Sequence, residues 1–217
     1  MFDYRFDPRI HNMGNVGFGG AIHSEIAPFV TRLIDKNGGK DVRREIKDSI
    51  LKLGNPSVLD LCCGVGFGTM DVGIDSSPQM IRKARGVHPL RKFRVADAED
   101  VSFYYRFDVV TCFFSFHEMP PTAHDRILSN AVRLCSRHLI VVDISPEYKS
   151  SLIMRIGEPY LLTYQDTIES TMLRHGLNRV DYIPGHVTLW IRSSDLSPEH
   201  RLPSRCTSSE PRPPSPS

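Results

Sequence analysis

The chain has 217 residues, 40 % of them hydrophobic, enough for one packed domain with appendages rather than two domains. Lys and Arg total 27 against 25 Asp and Glu, a net charge of +2 with the basic residues scattered, which argues against a nucleic-acid partner. The five cysteines show no CxxC spacing, no uncharged apolar run approaches about 18 residues, and the opening MFDYRFDPRI lacks the basic-then-apolar order of a secretory leader, so no metal site or membrane span is expected and reduced thiols in the cytoplasm or an organelle fit best.

Gly14, Gly17, Gly19 and Gly20 follow no strand pattern, so residues 1–21 read as a flexible Gly-rich segment and not as a phosphate loop. Apolar residues at Ile22, Ile26, Val30 and Leu33, and again at Val42, Ile46, Ile50 and Leu53, recur at helical spacing and predict two amphipathic helices within 22–55. After Pro56 the period shortens, and strands are predicted at Val58–Leu61, Val72–Asp75, Phe93–Ala96, Phe107–Phe114 and Leu139–Ile144. Helix-forming stretches at Gln79–Arg85 and Ala123–Leu134 alternate with them, the first signposted by a capping box from Ser76 to Gln79 and by Pro78 in the first turn. A helix over Gln165–His175 follows, then Arg179–Ile183 and His186–Ile191 around Pro184-Gly185, which reads as an antiparallel hairpin.

The fold class expected for 56–192 is therefore α/β, a Rossmann-like, doubly wound, mostly parallel sheet closed by that hairpin. Six of the 16 prolines fall within 198–217, and the tail 193–217 has too few large apolar groups to offset its ordering entropy, so disorder is expected there.

Chemistry concentrates where the first strand runs into VLDLCCGVG, in which Gly64 and Gly66 leave backbone open to close approach by a ligand. A nicotinamide dinucleotide site needs G-x-G-x-x-G and an acid about 20 residues on; Gly64, Gly66 and Gly68 space differently and Asp75 arrives 11 residues after Gly64, so that cofactor is disfavoured. Over roughly 57–192 the chain resembles the class I S-adenosylmethionine (SAM)-dependent methyltransferases, in particular the small-molecule group that includes the ubiquinone/menaquinone C-methyltransferases. VLDLCCGVG resembles their first motif, with Asp60 at its acidic position, Cys62 where the first glycine commonly lies, and Gly64 and Gly66 matching. VGIDSSPQMI resembles the second, which implies that Asp75 binds both ribose hydroxyls; RVADAEDVSF resembles the third, which implies that Asp97 receives the adenine amino group and that the backbone of Ala98 faces the ring. Singly, each acid reads as a cap or loop residue; at successive strand ends in family order they read as a SAM site.

FDVVTCFFSFHEMP resembles the family's fourth strand and the loop where the reacting methyl meets the acceptor. His117 and Glu118, just past that strand, are the candidate catalytic residues, His117 as base or substrate contact. Gly157-Glu-Pro-Tyr160 and His186 are candidate walls of the acceptor pocket. The loop lacks the D/N-P-P-Y/F/W form associated with flat amide or base nitrogens, so a small organic acceptor is expected.

One interval breaks the pattern. Only residues 63–71 separate the first two strands, whereas a parallel crossover with its helix needs at least about 10–12 residues. The spacing predicts that the crossover helix has been deleted and that one face of the sheet is left bare. It also raises an alternative, an inactive methyltransferase-like chain serving as an interaction module.

Overall fold

The computed structural model describes residues 3–12, 14, 17–35 and 41–194; the predicted tail beyond Ser194 lies outside them. Seven strands, β1 (Val58–Leu61), β2 (Val72–Asp75), β3 (Lys92–Val95), β4 (Phe107–Phe113), β5 (Cys135–Ile144), β6 (Asn178–Ile183) and β7 (Val187–Ser193), form one sheet ordered β3-β2-β1-β4-β5-β7-β6. The first five are parallel, and β7 runs antiparallel to both β5 and β6. Strand order reverses between β1 and β4, the kind of switch point beyond whose carboxyl ends open α/β sheets bind ligands.

Helices α1 (Gly17–Asp35), α2 (Val42–Leu51), α3 (Pro78–Val87), α4 (Pro121–Leu134), α5 (Leu152–Gly157) and α6 (Leu161–Arg174) complete the described fold. Ile127, Leu128 and Leu134 of α4 and Tyr164, Ile168 and Met172 of α6 bury one sheet face with Leu59, Leu61 and Val110. On the other face Val42, Ile46 and Ile50 of α2 pack with Val58, Val109 and Ile140. Burial from both sides explains why β1 reads as a continuous VLDL run and not as an alternation.

As the spacing predicted, no helix lies between β1 and β2; residues 62–71 form only turns and bends. The bare face expected from that loss does not arise, because the turns themselves lie flat on the sheet, with Val65 and Thr69 buried. Glycine makes this possible: a Cβ on Gly66 would stand 2.6 Å from the Phe93 ring, and one on Gly68 2.5 Å from Phe113. Lys47 Nζ donates to the Phe67 carbonyl at 2.8 Å and ties the loop to α2.

Three local expectations need correction. The segment expected to be flexible is structured in part, since 3₁₀ turns occupy Tyr4–Phe6 and Ile10–Asn12 and α1 already begins at Gly17. In the first half of α1 the apolar stripe read from its periodicity is not the buried face: Ile22 and Ile26 are each 42 % exposed, while Ser24 and Ala27 are buried where the helix meets α3; the side chains of Val30 and Leu33 lie outside those described. The cap of α3 is Ser77, whose hydroxyl accepts from Met80 N, and not Ser76. Among the described residues no helix is long and apolar enough to cross a membrane, and no cluster of His, Cys, Asp and Glu could hold a metal ion.

Candidate active site

A cavity of about 480 Å³ opens beyond the carboxyl ends of the central strands, within the usual range of roughly 300–1,000 Å³ for small-molecule sites. Its floor begins where β1 ends. Cys62 adopts φ 54°, a left-handed conformation that costs a non-glycine residue roughly 1–2 kcal/mol. Gly64 has φ 52°, and nothing stands within 4 Å of where its Cβ would be, so ligand-accessible backbone lines the cavity there.

Asp75, at the end of β2, ties that turn down: Oδ2 accepts from Gly64 N and Oδ1 from Ser77 N, both at 2.8 Å. Burial pushes its carboxyl up to about 6 despite these two backbone donors. Each oxygen keeps a further lone pair for a ligand, since a carboxylate offers about four acceptor positions. Asp97, two residues past β3, accepts from Glu99 N at 3.0 Å and forms an ion pair with Arg5 from the N-terminal segment.

The opposite wall is the single 3₁₀ turn Phe116–Glu118 after β4. Asp143 near the end of β5 holds it. Fully buried, this carboxylate accepts from the backbone N–H groups of Phe116 (2.8 Å), His117 (3.3 Å) and Ile144 (2.7 Å), and its Oδ1 lies 2.6 Å from His117 Nδ1. Burial alone would depress His117, but the charge and hydrogen bond of Asp143, joined by Glu158 and Glu118, raise it to about 9. Next to it, His11 bridges two acids, Nε2 to Glu118 Oε1 at 3.0 Å and Nδ1 to Glu158 Oε1 at 2.7 Å. Against the pull of burial, these carboxylates lift His11 to about 11, so it is an imidazolium donating on both sides.

Comparison with known proteins bears on this crevice. Residues 58–138, from β1 into β5 and including the whole strand-end acid series from Asp60 to Asp97, match a family model described as a methyltransferase domain. Over these residues the chain is similar to methyltransferase domains. The chain is 32 % identical over 119 residues to the dTDP-3-amino-3,6-dideoxy-alpha-D-glucopyranose N,N-dimethyltransferase of Streptomyces fradiae, covering 48 % of this chain and 46 % of that protein. An uncharacterized methyltransferase of Synechocystis is 31 % identical over 122 residues, covering 49 % and 58 %. The chain thus spans about half the length of the curated relatives it matches. Among solved structures, the magnesium protoporphyrin IX methyltransferase of Synechocystis with bound S-adenosylhomocysteine (SAH) shares the fold, with a TM-score of 0.53 at 17 % identity over 85 % of this chain and 90 % of that one.

Within this matched segment, Asp60, Cys62, Gly64, Asp75, Asp97, Ala98, His117 and Glu118 all line the cavity, whereas Gly66 does not. Gly66 is required for packing on Phe93, and its carbonyl accepts from Arg91 Nη1. Asp60 reaches the cavity with its oxygens already engaged, accepting from Thr69 Oγ1 at 2.8 Å and Thr111 Oγ1 at 2.9 Å. Of the candidate acceptor wall, Glu158 and His186 line the cavity, while the Tyr160 hydroxyl instead donates to Asp7 at 3.0 Å. His117 is a protonated donor at neutral pH rather than a free base, because Asp143 holds its proton. Asp143 went unread in the sequence, although LIVVDISP carries the same acid-at-strand-end signal as Asp60 and Asp75.

Burial pushes Asp60 up to about 6, only partly opposed by the Thr69 and Thr111 hydroxyls and the charges of Arg43 and Lys47. A folded-state value above the unfolded one contributes stability below about pH 4 that is lost as pH rises through 6. Asp60→Asn removes this contribution. The stability difference between variant and wild type, followed by urea unfolding, is expected to shift by about 2 kcal/mol in the variant's favour between pH 4.5 and 7.5; a pH-independent difference would mean that Asp60 does not titrate in this range.

Proposed function

We propose that the chain is a SAM-dependent methyltransferase acting on a small organic acceptor. Asp75 carries this reading: a half-buried, cavity-facing carboxylate with spare acceptor capacity, pinned beside the open Gly64 backbone, fits a pair of vicinal hydroxyls. Such charge-assisted hydrogen bonds are roughly twice as strong as neutral ones. On this reading Asp75 holds the ribose, Gly64 and its neighbours face the methionine part, and Asp97 with Ala98 holds the adenine. SAM, when bound, supplies a methyl group on a sulfonium, and no covalent enzyme intermediate is needed. His117, anchored through Nδ1 on Asp143, lines the cavity and on this reading offers Nε2 to the acceptor. The N-terminal turns, tied by Tyr4 to Glu99 at 2.8 Å and by His11 to Glu118, form part of the cavity wall.

Titration calorimetry of SAH into the full chain tests the reading. Micromolar binding is expected; a folded chain that ignores SAH is an interaction module instead. Arg5 occupies the Asp97 carboxylate that the adenine amino group would use, so Arg5→Ala is expected to bind SAH about three- to tenfold more tightly, a gain of up to about 1.4 kcal/mol. Weaker binding in that variant would show that Arg5 contacts the cofactor rather than competing with it.

A further inference from the structure

The acceptor side contains an acid whose hydrogen-bonding capacity is half unused. Glu158 caps α5, is only 8 % exposed and lines the cavity. Its Oε1 receives His11 Nδ1 at 2.7 Å, but its Oε2 is buried with no protein partner. An unmatched buried acceptor is costly, more so when charged, so the atom has a strong demand for a donor. The charges nearby indicate which kind. Around the His11 and His117 imidazoliums stand three carboxylates, Glu118, Glu158 and Asp143, leaving one uncompensated negative charge in a desolvated wall. Asp143 is spent on His117 and backbone N–H groups and His11 is shared between Glu118 and Glu158, so the buried carboxylate oxygen left without a donor in this wall is Glu158 Oε2. A neutral hydroxyl would satisfy the lone pair and leave the charge; an ammonium satisfies both. Around it the wall offers apolar surface from Met154, one turn back along α5, and Ile144 at the end of β5, beside the Tyr148 and His186 rings.

We propose that Glu158 is the acceptor-recognition residue of this cavity, and that the acceptor is a primary or secondary amine on an apolar body, bound as its ammonium ion by Oε2, which takes a proton from it to free the nitrogen lone pair for the methyl group, while His11 fixes the carboxylate through Oε1. This rests on the methyltransferase reading for the word acceptor, but the amine preference can be measured without it. Three probes of equal shape separate the alternatives: cyclohexylamine as its ammonium ion, cyclohexanol and cyclohexanecarboxylate, each titrated by ligand-observed NMR against the full chain with and without saturating SAH.

The ammonium is expected to bind at least tenfold more tightly than the alcohol, and the carboxylate not at all. Glu158→Gln keeps an oxygen for His11 but replaces Oε2 with an N–H group; it is expected to abolish the ammonium preference while leaving SAH affinity within twofold. Equal binding of ammonium and alcohol to the wild type, or a preference that survives Glu158→Gln, overturns the proposal, and the wild-type comparison does so even if the variant fails to fold. A chain that binds the ammonium selectively but ignores SAH would refute the methyltransferase reading and leave the amine site standing.

Discussion

Asp143→Ala is expected to lower the unfolding free energy by about 3–5 kcal/mol, a large part of a typical margin of roughly 5–15 kcal/mol. Its cause is the concentration of donors on one fully buried carboxylate. Three backbone N–H groups and the His117 ring converge on it, and alanine leaves all four without a partner in a wall that water does not reach. The conservative Asp143→Asn keeps one oxygen and is expected to cost about half as much, so it provides a folded protein for a second measurement. In that variant His117 loses the charge that holds its proton, and burial then dominates. Its titration, followed by NMR, is expected to move from about 9 to below neutrality. A loss of under 1 kcal/mol in Asp143→Ala would mean that the turn is held by the packing of Phe116 and Met119 instead.

The largest expected effect on binding is at Asp75. Asp75→Asn replaces one oxygen with an N–H group that cannot accept from Gly64 or Ser77, so it releases the turn as well as one ligand hydroxyl. Hydrogen bonds to a charged group contribute about 1.5–3 kcal/mol each, and SAH affinity is expected to fall at least 100-fold, about 2.7 kcal/mol. A pH series supplies an internal control. Because burial sets the free carboxyl near 6, wild-type affinity should weaken as pH falls through 6, where the protonated acid loses acceptor capacity, and Asp75→Asn should show no such step. Undiminished SAH binding by the folded variant would remove Asp75 from the cofactor site.

Much of the sheet was legible because period, β-branching and turn residues agree locally. The strands from VLDL to HVTLWI fall within a few residues of their predicted ends, and 63–71 is as short of a helix as its length implied. What was not legible depends on partners remote in the chain. Periodicity could not show that α1 would turn its small residues to α3, nor that three glycines and Thr69 would let bare turns replace a helix on the sheet. The acids at strand ends announced themselves by position, but the ties that tune them did not: Arg5 meets Asp97 across 92 residues, His11 meets Glu118 across 107, and Asp7 meets Tyr160 across 153. No spacing rule reaches that far, so the carboxylates that raise the His117 imidazole were not foreseen.

Residues 4–11 are anchored at both ends of the crevice, by Tyr4 and Arg5 to Glu99 and Asp97 on one side and by His11 to Glu118 and Glu158 on the other. A strap fastened in this way cannot be loosened at one end without weakening its hold at the other. Whatever displaces Arg5 lowers the work needed to part His11 from its acids, and by thermodynamic reciprocity the converse holds to the same degree. The two ends of the cavity are therefore energetically linked through a stretch of chain that need belong to neither.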